Sequence, residues 1–154
     1  MSKYDDASWH YEGDYPENLP TKNASTHIGL FLAWCINNNL MSNEQLEDFG
    51  ADIDEVKARR MTGAEYLISI CDEKLYDEDL SVIGNKFAKA YYEYTKHTKF
   101  SKAYANYMQD YLMVLNNGAE EDSYSIEDTW HNYDLLQPLL DQRFKEWQIF
   151  SSKK

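Results

Sequence analysis

The chain has 154 residues, of which 43% are hydrophobic and 15% aromatic, and this composition predicts a folded domain rather than a disordered chain. Its formal net charge of −12 excludes nucleic acid and anionic membranes as main partners, because binding to phosphate groups needs an excess of Lys and Arg. The same charge suits a basic protein partner, although acidity also raises solubility without any partner.

No apolar segment approaches the length that spans a bilayer, and the start of the chain lacks the basic residues and apolar run of a signal peptide. We therefore expect a cytoplasmic protein.

The two cysteines, Cys35 and Cys71, lie far apart in apolar stretches. This spacing predicts free, buried thiols rather than a metal or redox motif. Nothing in the pattern indicates an oligomeric state.

Residues 1–24 are predicted to form an irregular N-terminal arm, because Pro16, Pro20 and Gly13 lie there among polar and aromatic residues. The arm is rich in aromatic side chains, including Trp9 and three tyrosines. A free tail would expose an unusual amount of apolar surface. We therefore expect the arm to pack on a helical core formed by residues 25–150, so that residues 1–154 make a single domain.

Residues 26–37 predict a central helix, because their side chains leave almost no polar face. Ser25 or Thr26 can cap its start, and the Asn37–Asn39 run suits its end, since Asn tolerates the left-handed conformation. His27 opens this helix. A histidine at this position is expected to hydrogen-bond a carboxylate and fix the helix end.

Capping boxes mark the starts of the next two predicted helices. Ser42 with Gln45 begins one helix, and Thr62 with Glu65 begins another that we place from residue 63 to about residue 75. Apolar residues at helical spacing then predict a helix through Leu80, Phe87 and Tyr91.

A further helix is predicted through Tyr104 and Leu115, with Ser101 as its cap and Gly118 as its stop. Residues 123–126 are predicted to form a short extended segment. A long closing helix follows from Trp130, and Pro138 is expected to kink or restart it. The pattern as a whole predicts an all-α, or mainly α, bundle of about five to six helices.

Polar and aromatic residues are concentrated near both ends of the chain. If the arm folds against the closing helix, they would line a polar-aromatic pocket. The pocket candidates are Trp9, His10, His27, Asp128, Trp130 and His131. A competing interpretation makes the tryptophans core anchors whose indole N–H groups bond to nearby carboxylates, and the sequence favours that structural role.

Acidic residues form blocks without intervening basic residues. Such blocks are candidate surfaces for a basic partner, although most charge runs are solvated faces. The partner-binding candidates are Glu44, Glu47, Asp48, Asp52, Asp54 and Glu55 in one block, and Glu120, Glu121 and Asp122 in another.

Catalytic and metal motifs are absent from the sequence pattern. The four histidines His10, His27, His97 and His131 are scattered, and none belongs to a metal-binding repeat. No nucleophile elbow, phosphate-binding glycine loop or Cys/His arrangement occurs. We therefore expect no cofactor, no metal and no catalytic residue, and the sequence favours a protein that is not an enzyme.

Five stretches of the chain resemble a known family. They are YDDASWHYEGDYPENLP (4–20), THIGLFLAW (26–34), RRMTGAEYL (59–67), GNKFAKAYY (84–92) and DTWHNYDLLQPLLDQRF (128–144). The resemblance is to small bacterial cytosolic proteins grouped as a domain of unknown function, and it covers nearly the whole chain. It implies no reaction, ligand or site residue. Proteins of this size and charge also resemble the immunity proteins of bacterial toxin systems, by analogy of type.

Two functional hypotheses remain. The first is a non-enzymatic, immunity-like or antitoxin-like protein whose acidic face masks the basic surface of a cognate bacterial toxin. The second is an enzyme or small-ligand-binding protein whose pocket is formed by the N-terminal arm and the C-terminal helix. The absence of catalytic motifs favours the first.

Overall fold

The computed structural model describes residues 2–93, 97–116, 118 and 123–153. Helices dominate these residues, which confirms the predicted mainly α class. The α-helices are α1 (Ala7–Tyr11), α2 (Thr26–Asn37), α3 (Asn43–Lys57), α4 (Gly63–Ile70), α5 (Val82–Tyr91), α6 (Lys99–Ala103), α7 (Tyr107–Asn116) and α8 (Trp130–Ser152). Two strands, β1 (Lys3–Asp6) and β2 (Lys74–Tyr76), pair antiparallel, and 3-10 turns cover Thr21–Ser25, Asp77–Asp79 and Ser123–Ser125.

The N-terminal arm is more regular than predicted. Strand β1 pairs with β2, and the Asp6 side chain then caps α1 by accepting a hydrogen bond from the Ser8 backbone N–H. The backbone N–H of Ala7 also donates to the Glu73 carbonyl at 2.9 Å. The arm was expected to be irregular because its prolines dominate the local pattern, but both prolines lie after α1, where they do not disturb this strand and helix.

Helix α2 is the centre of the core, as its apolar sequence predicts. Every residue from Thr26 to Ile36 is buried. The Phe31 ring contacts the rings of Tyr92 and Tyr107, and Trp34 contacts Phe87. Because α2 is surrounded on all sides, its first turn places His27 inside the molecule rather than on its surface.

Two glycines allow α2 and α4 to touch through their backbones. A Cβ atom built on Gly29 would overlap the backbone of Ala64, and one built on Gly63 would overlap the Gly29 carbonyl. Only glycine permits so close an approach. The crossing fixes the start of α2 against the start of α4 and therefore determines where His27 lies.

Several predicted helix boundaries are confirmed. The Thr62 hydroxyl accepts from the Glu65 N–H, and the Glu65 carboxylate accepts from the Thr62 N–H, which completes the predicted capping box. Ser42 caps α3 through the Gln45 N–H at 3.3 Å. Asn39 adopts the left-handed conformation, with φ 57°, just beyond the end of α2.

The end of α4 was predicted too late. The helix ends at Ile70, and Leu75 belongs to β2. Asp72 and Glu73 have φ values of 54° and 65°, which no helix can accommodate. Leu75 is still fully buried, because the strand presents it to the same core that a helix would have reached.

Ser101 does not cap the helix that contains Tyr107. Thr98 caps the short helix α6, and α7 begins separately, where Asn106 and Gln109 each accept from the other's backbone N–H at 2.9 Å. Gly118 has φ 82°, which agrees with its predicted role beyond the end of α7.

The C-terminal region differs from prediction at two places. Ser123–Ser125 forms a 3-10 turn rather than an extended piece. Helix α8 continues through Pro138 from Trp130 to Ser152 instead of restarting. Leu136 and Leu140 are both fully buried on either side of the proline, so packing holds the helix in place there.

No helix in the described part of the chain combines the length and the apolar character needed to cross a membrane.

Candidate functional site

A buried carboxylate, Asp5, organises the most polar part of the interior. It lies in β1, opposite Leu75 of β2, and its side chain is fully buried. The N–H of Asp6 donates to its Oδ1 atom at 2.9 Å, and the Tyr92 hydroxyl donates to its Oδ2 atom at 2.6 Å. These donors come from the arm itself and from the residue that follows α5.

Two histidines complete the surroundings of Asp5. His10 Nε2 lies 2.8 Å from Asp5 Oδ1, and His27 Nε2 lies 3.0 Å from Asp5 Oδ2. Burial by itself raises the pKa of Asp5, but the charge interaction with His27 and the hydrogen bonds from both histidines outweigh it and hold the pKa well below its ordinary value. Asp5 is therefore an ionised carboxylate that accepts four hydrogen bonds. The expectation that His27 bonds a carboxylate is confirmed.

His10 extends the network to a tyrosine. Helix α1 directs its ring inward, where the ring lies at 4.5 Å from the His27 ring in a nearly perpendicular arrangement. Its Nδ1 atom lies 2.8 Å from the Tyr124 hydroxyl. Because an ionised carboxylate only accepts, His10 donates from Nε2 to Asp5, and in the neutral form of the ring Nδ1 accepts from the Tyr124 hydroxyl. Asp5, His10 and Tyr124 thus form a continuous hydrogen-bonded chain.

A cavity of about 340 Å³ adjoins this cluster. His27, Asn23, Ser123 and Tyr124 supply its polar lining, and Met108, Tyr111 and Leu112 of α7 supply its apolar lining. The Tyr107 hydroxyl fixes the His27 backbone by donating to its carbonyl at 2.6 Å. We call this space the His27 cavity.

Asp128 lies in a neighbouring cavity of about 410 Å³, and Asn23 lines both spaces. The Thr62 hydroxyl donates to Asp128 Oδ2 at 2.6 Å, while the buried Oδ1 atom has no hydrogen-bond partner in the described residues. Burial raises the pKa of Asp128 above its ordinary value. Unlike Asp5, this carboxylate is incompletely compensated.

The other pocket candidates lie elsewhere. Trp9 is 51% exposed, with the Lys3 ammonium 4.9 Å from its ring centre. Trp130 packs between Arg59 and Tyr133, and His131 at the start of α8 is exposed. Within the part of the chain that the structure describes, none of these three lines the His27 cavity or the Asp128 cavity. Of the six candidates, the fold brings His10 and His27 together and places Asp128 in the neighbouring cavity.

Three residues of the cluster were not predicted from the sequence: Asp5, Tyr92 and Tyr124. Asp5 was seen only as one of several polar residues near the N-terminus. The Asp5-Asp6 pair before Ala7 could have signalled a helix cap, and therefore a turn of helix carrying His10. Tyr92 and Tyr124 lie 87 and 114 positions from their partners, and no local pattern signals contacts of that range.

The first acidic block lies along α3. Glu44, Glu47, Asp48 and Asp54 are exposed, whereas Asp52 and Glu55 are half-buried. Glu55 pairs with Arg60 at 2.7 Å, and no ion pair involves the four exposed residues within the described regions. The second block, Glu120, Glu121 and Asp122, lies outside the described residues.

A family model described as a domain of unknown function (DUF7832) matches residues 3–126. The matched segment includes Asp5, His10, His27, Tyr92 and Tyr124, so it contains the whole polar cluster. No curated protein and no solved structure matches the chain.

Proposed function

This chain belongs to the family of the domain of unknown function DUF7832, and from the geometry of its site we propose that it binds a small polar-aromatic or amphipathic ligand in the His27 cavity. One observation carries the proposal. A fully buried, ionised carboxylate is held between two histidines at the edge of a cavity that one of them lines. Buried titratable clusters beside a cavity are typical of binding and catalytic sites.

The lining indicates the kind of ligand. Met108, Tyr111 and Leu112 offer an apolar surface, while Asn23 and Tyr124 offer polar groups. Its volume of about 340 Å³ is at the small end of ligand pockets. A fitting molecule therefore has a compact apolar body and one or two polar groups.

The site also has acid–base capacity. Asp5 holds the His10 ring in one tautomer, so that Nδ1 can accept the Tyr124 hydroxyl proton. Asp5 would in turn stabilise the imidazolium that forms. This is the arrangement by which a carboxylate orients a histidine and the histidine activates a hydroxyl group. In the enzymatic version of this proposal, the activated Tyr124 hydroxyl reacts with the bound ligand.

A cavity-filling variant tests the proposal. Leu112 is 7% exposed and lines the cavity, so Leu112→Phe places extra volume inside it. Its neighbour Met113 is 65% exposed, which makes Met113→Phe a matched control. We expect ligand-observed NMR with a library of amphipathic fragments to find saturable binders of the wild type and of Met113→Phe, and not of Leu112→Phe. Fragments that bind all three proteins equally would contradict the proposal.

A second function is supported by the acidic surface of α3. Glu44, Glu47, Asp48 and Asp54 are exposed and form no ion pair within the described residues. We propose that this surface could serve an immunity-like protein that captures a basic toxin domain, because complementary charge accelerates encounter.

Charge reversal tests this second function. Binding of a basic partner protein to the wild type should weaken as salt rises, because salt screens the attraction. In Glu44→Lys, Glu47→Lys and Asp48→Lys combined, we expect slower association with the same partner. The control reverses three exposed acidic residues in the arm, Glu12, Asp14 and Glu17, with the same change in net charge. Equal effects of the two triple variants, or recovery of no basic partner by pull-down from the native host, would count against it.

A further inference from the structure

We propose that Asp5, His10 and His27 form a three-ligand site for a divalent transition-metal ion of the Zn²⁺ type. This inference deepens the proposed ligand-binding function, since it concerns the same cluster. The three residues each offer one ligand atom, and these atoms lie within 4.8 Å of one another.

The donor set decides the class of ion. Two imidazole nitrogens and one carboxylate oxygen suit Zn²⁺ and its first-row neighbours, whereas Mg²⁺ and Ca²⁺ prefer oxygen ligands throughout. Zinc–nitrogen distances of about 2.0–2.1 Å place tetrahedral ligands roughly 3.4 Å apart. His10 Nε2 lies 2.8 Å from Asp5 Oδ1, and His27 Nε2 lies 3.0 Å from the other carboxylate oxygen, Oδ2, so both distances are already shorter than this. The ion would therefore separate these atoms slightly and draw the two histidine nitrogens toward each other.

Surrounding hydrogen bonds would orient the ligands. The Tyr92 hydroxyl and the Asp6 N–H hold the Asp5 carboxylate, and the Tyr124 hydroxyl faces the other nitrogen of His10. Metal-binding histidines in proteins almost always bond a second group through that nitrogen. This support distinguishes the cluster from three polar residues that merely lie close together.

Metal binding would change which atom of each histidine faces Asp5 with a proton. Without metal, each ring donates from Nε2 to Asp5. With metal, the Nε2 lone pair binds the ion and the proton resides on Nδ1. For His10 that proton is donated to the Tyr124 oxygen, whose own hydrogen turns away.

Three protein ligands leave a coordination position for water or for a ligand. We infer that this position faces the His27 cavity, because His27 belongs to both the cluster and the cavity lining. A divalent ion with one carboxylate keeps a net positive charge. The small molecule bound beside it would therefore carry an anionic or otherwise electron-rich donor group.

Calorimetric titration of the metal-free full chain with ZnCl₂ tests the inference. We expect one Zn²⁺ per chain, and MgCl₂ should give no binding. His10→Gln and His27→Gln keep a donor toward Asp5 but lose the imidazole, and each should weaken Zn²⁺ binding about 100-fold or more. Tyr124→Phe should weaken it about 10-fold. Circular dichroism checks that each variant folds.

His97→Ala and His131→Ala are the controls, because both histidines are exposed and lie outside the cluster. They should leave the Zn²⁺ affinity unchanged. The inference fails if the wild type binds no Zn²⁺, if Mg²⁺ binds equally well, or if the two glutamine variants retain wild-type affinity. Fragment binding that is blocked by Leu112→Phe in the metal-free chain would then preserve the ligand-binding function without the metal.

Discussion

Two buried carboxylates in this molecule are compensated in different ways. Asp110 of α7 accepts from Arg143 of α8 at 2.8 and 3.1 Å and from the Tyr91 hydroxyl at 2.6 Å. Asp5 instead accepts from two histidines, a tyrosine and a backbone N–H. Both arrangements satisfy a charge that would otherwise be costly to bury.

The difference lies in what the partners can do. Arg143 is a permanent cation, and its hydrogen bonds with Asp110 raise its pKa further, so this pair only fastens α7 to α8. The histidines beside Asp5 can change tautomer, gain a proton or bind a metal. The Asp110 pair is therefore suited to structure, while the Asp5 cluster has the chemical versatility of a site.

The largest loss of stability is expected from breaking the Asp110–Arg143 pair. Arg143→Met removes the cation and leaves Asp110 buried with the Tyr91 hydroxyl as its remaining donor among the described residues, which should lower the free energy of unfolding by about 3 kcal/mol or more. Urea denaturation measures this loss. Arg60→Met removes an arginine from an exposed pair with Glu55 and is the control, with little expected change. Similar midpoints for the two variants would show that the Asp110 pair contributes little.

A smaller loss is expected at the Asp5 cluster. Tyr92→Phe removes one of its four donors and should lower the free energy of unfolding by about 1–3 kcal/mol. The remaining three donors keep Asp5 ionised, so the fold should persist. Tyr104→Phe alters a half-exposed hydroxyl and is the matched control. If both variants unfold at the same urea concentration, Asp5 does not depend on Tyr92.

The smallest change in the free energy of unfolding is expected at Asp128, where a substitution should stabilise the fold. Since burial raises its pKa, the folded state binds a proton more tightly than the unfolded state, and the ionised carboxyl costs stability at neutral pH. Asp128→Asn should therefore raise the free energy of unfolding at pH 7. Thermal unfolding as a function of pH measures the gain. It should vanish below the ordinary pKa of 3.8, where both proteins are neutral at this position. A loss at pH 7 would mean that the charge itself stabilises the fold.

Features that depend on near neighbours in sequence were predicted well. The Thr62–Glu65 capping box, the left-handed Asn39 and the burial of α2 all follow from residues within a turn or two. Errors arose where a distant partner decides the local structure. Residues 74–76 form a strand because β1 pairs with them, and nothing near Leu75 reveals that partner.

The site was predictable only in part for the same reason. His27 and its carboxylate partner were expected from the helix start, but the identity of that carboxylate depends on how β1 lies against α2. The pairing of His10 with Tyr124 crosses most of the chain. Trp130 and His131 were grouped with the arm by composition, whereas Arg59 packs against Trp130 and His131 lies exposed at the start of α8.

Imidazole NMR of the ¹⁵N-labelled chain tests most directly whether the Asp5 cluster is the binding site. In the metal-free protein, His10 and His27 should carry their protons on Nε2. One equivalent of Zn²⁺ should move both protons to Nδ1 and shift both Nε2 signals, while the signals of His97 and His131 stay in place as internal controls. Unchanged His10 and His27 signals, or shifts confined to His97 and His131, would contradict the account.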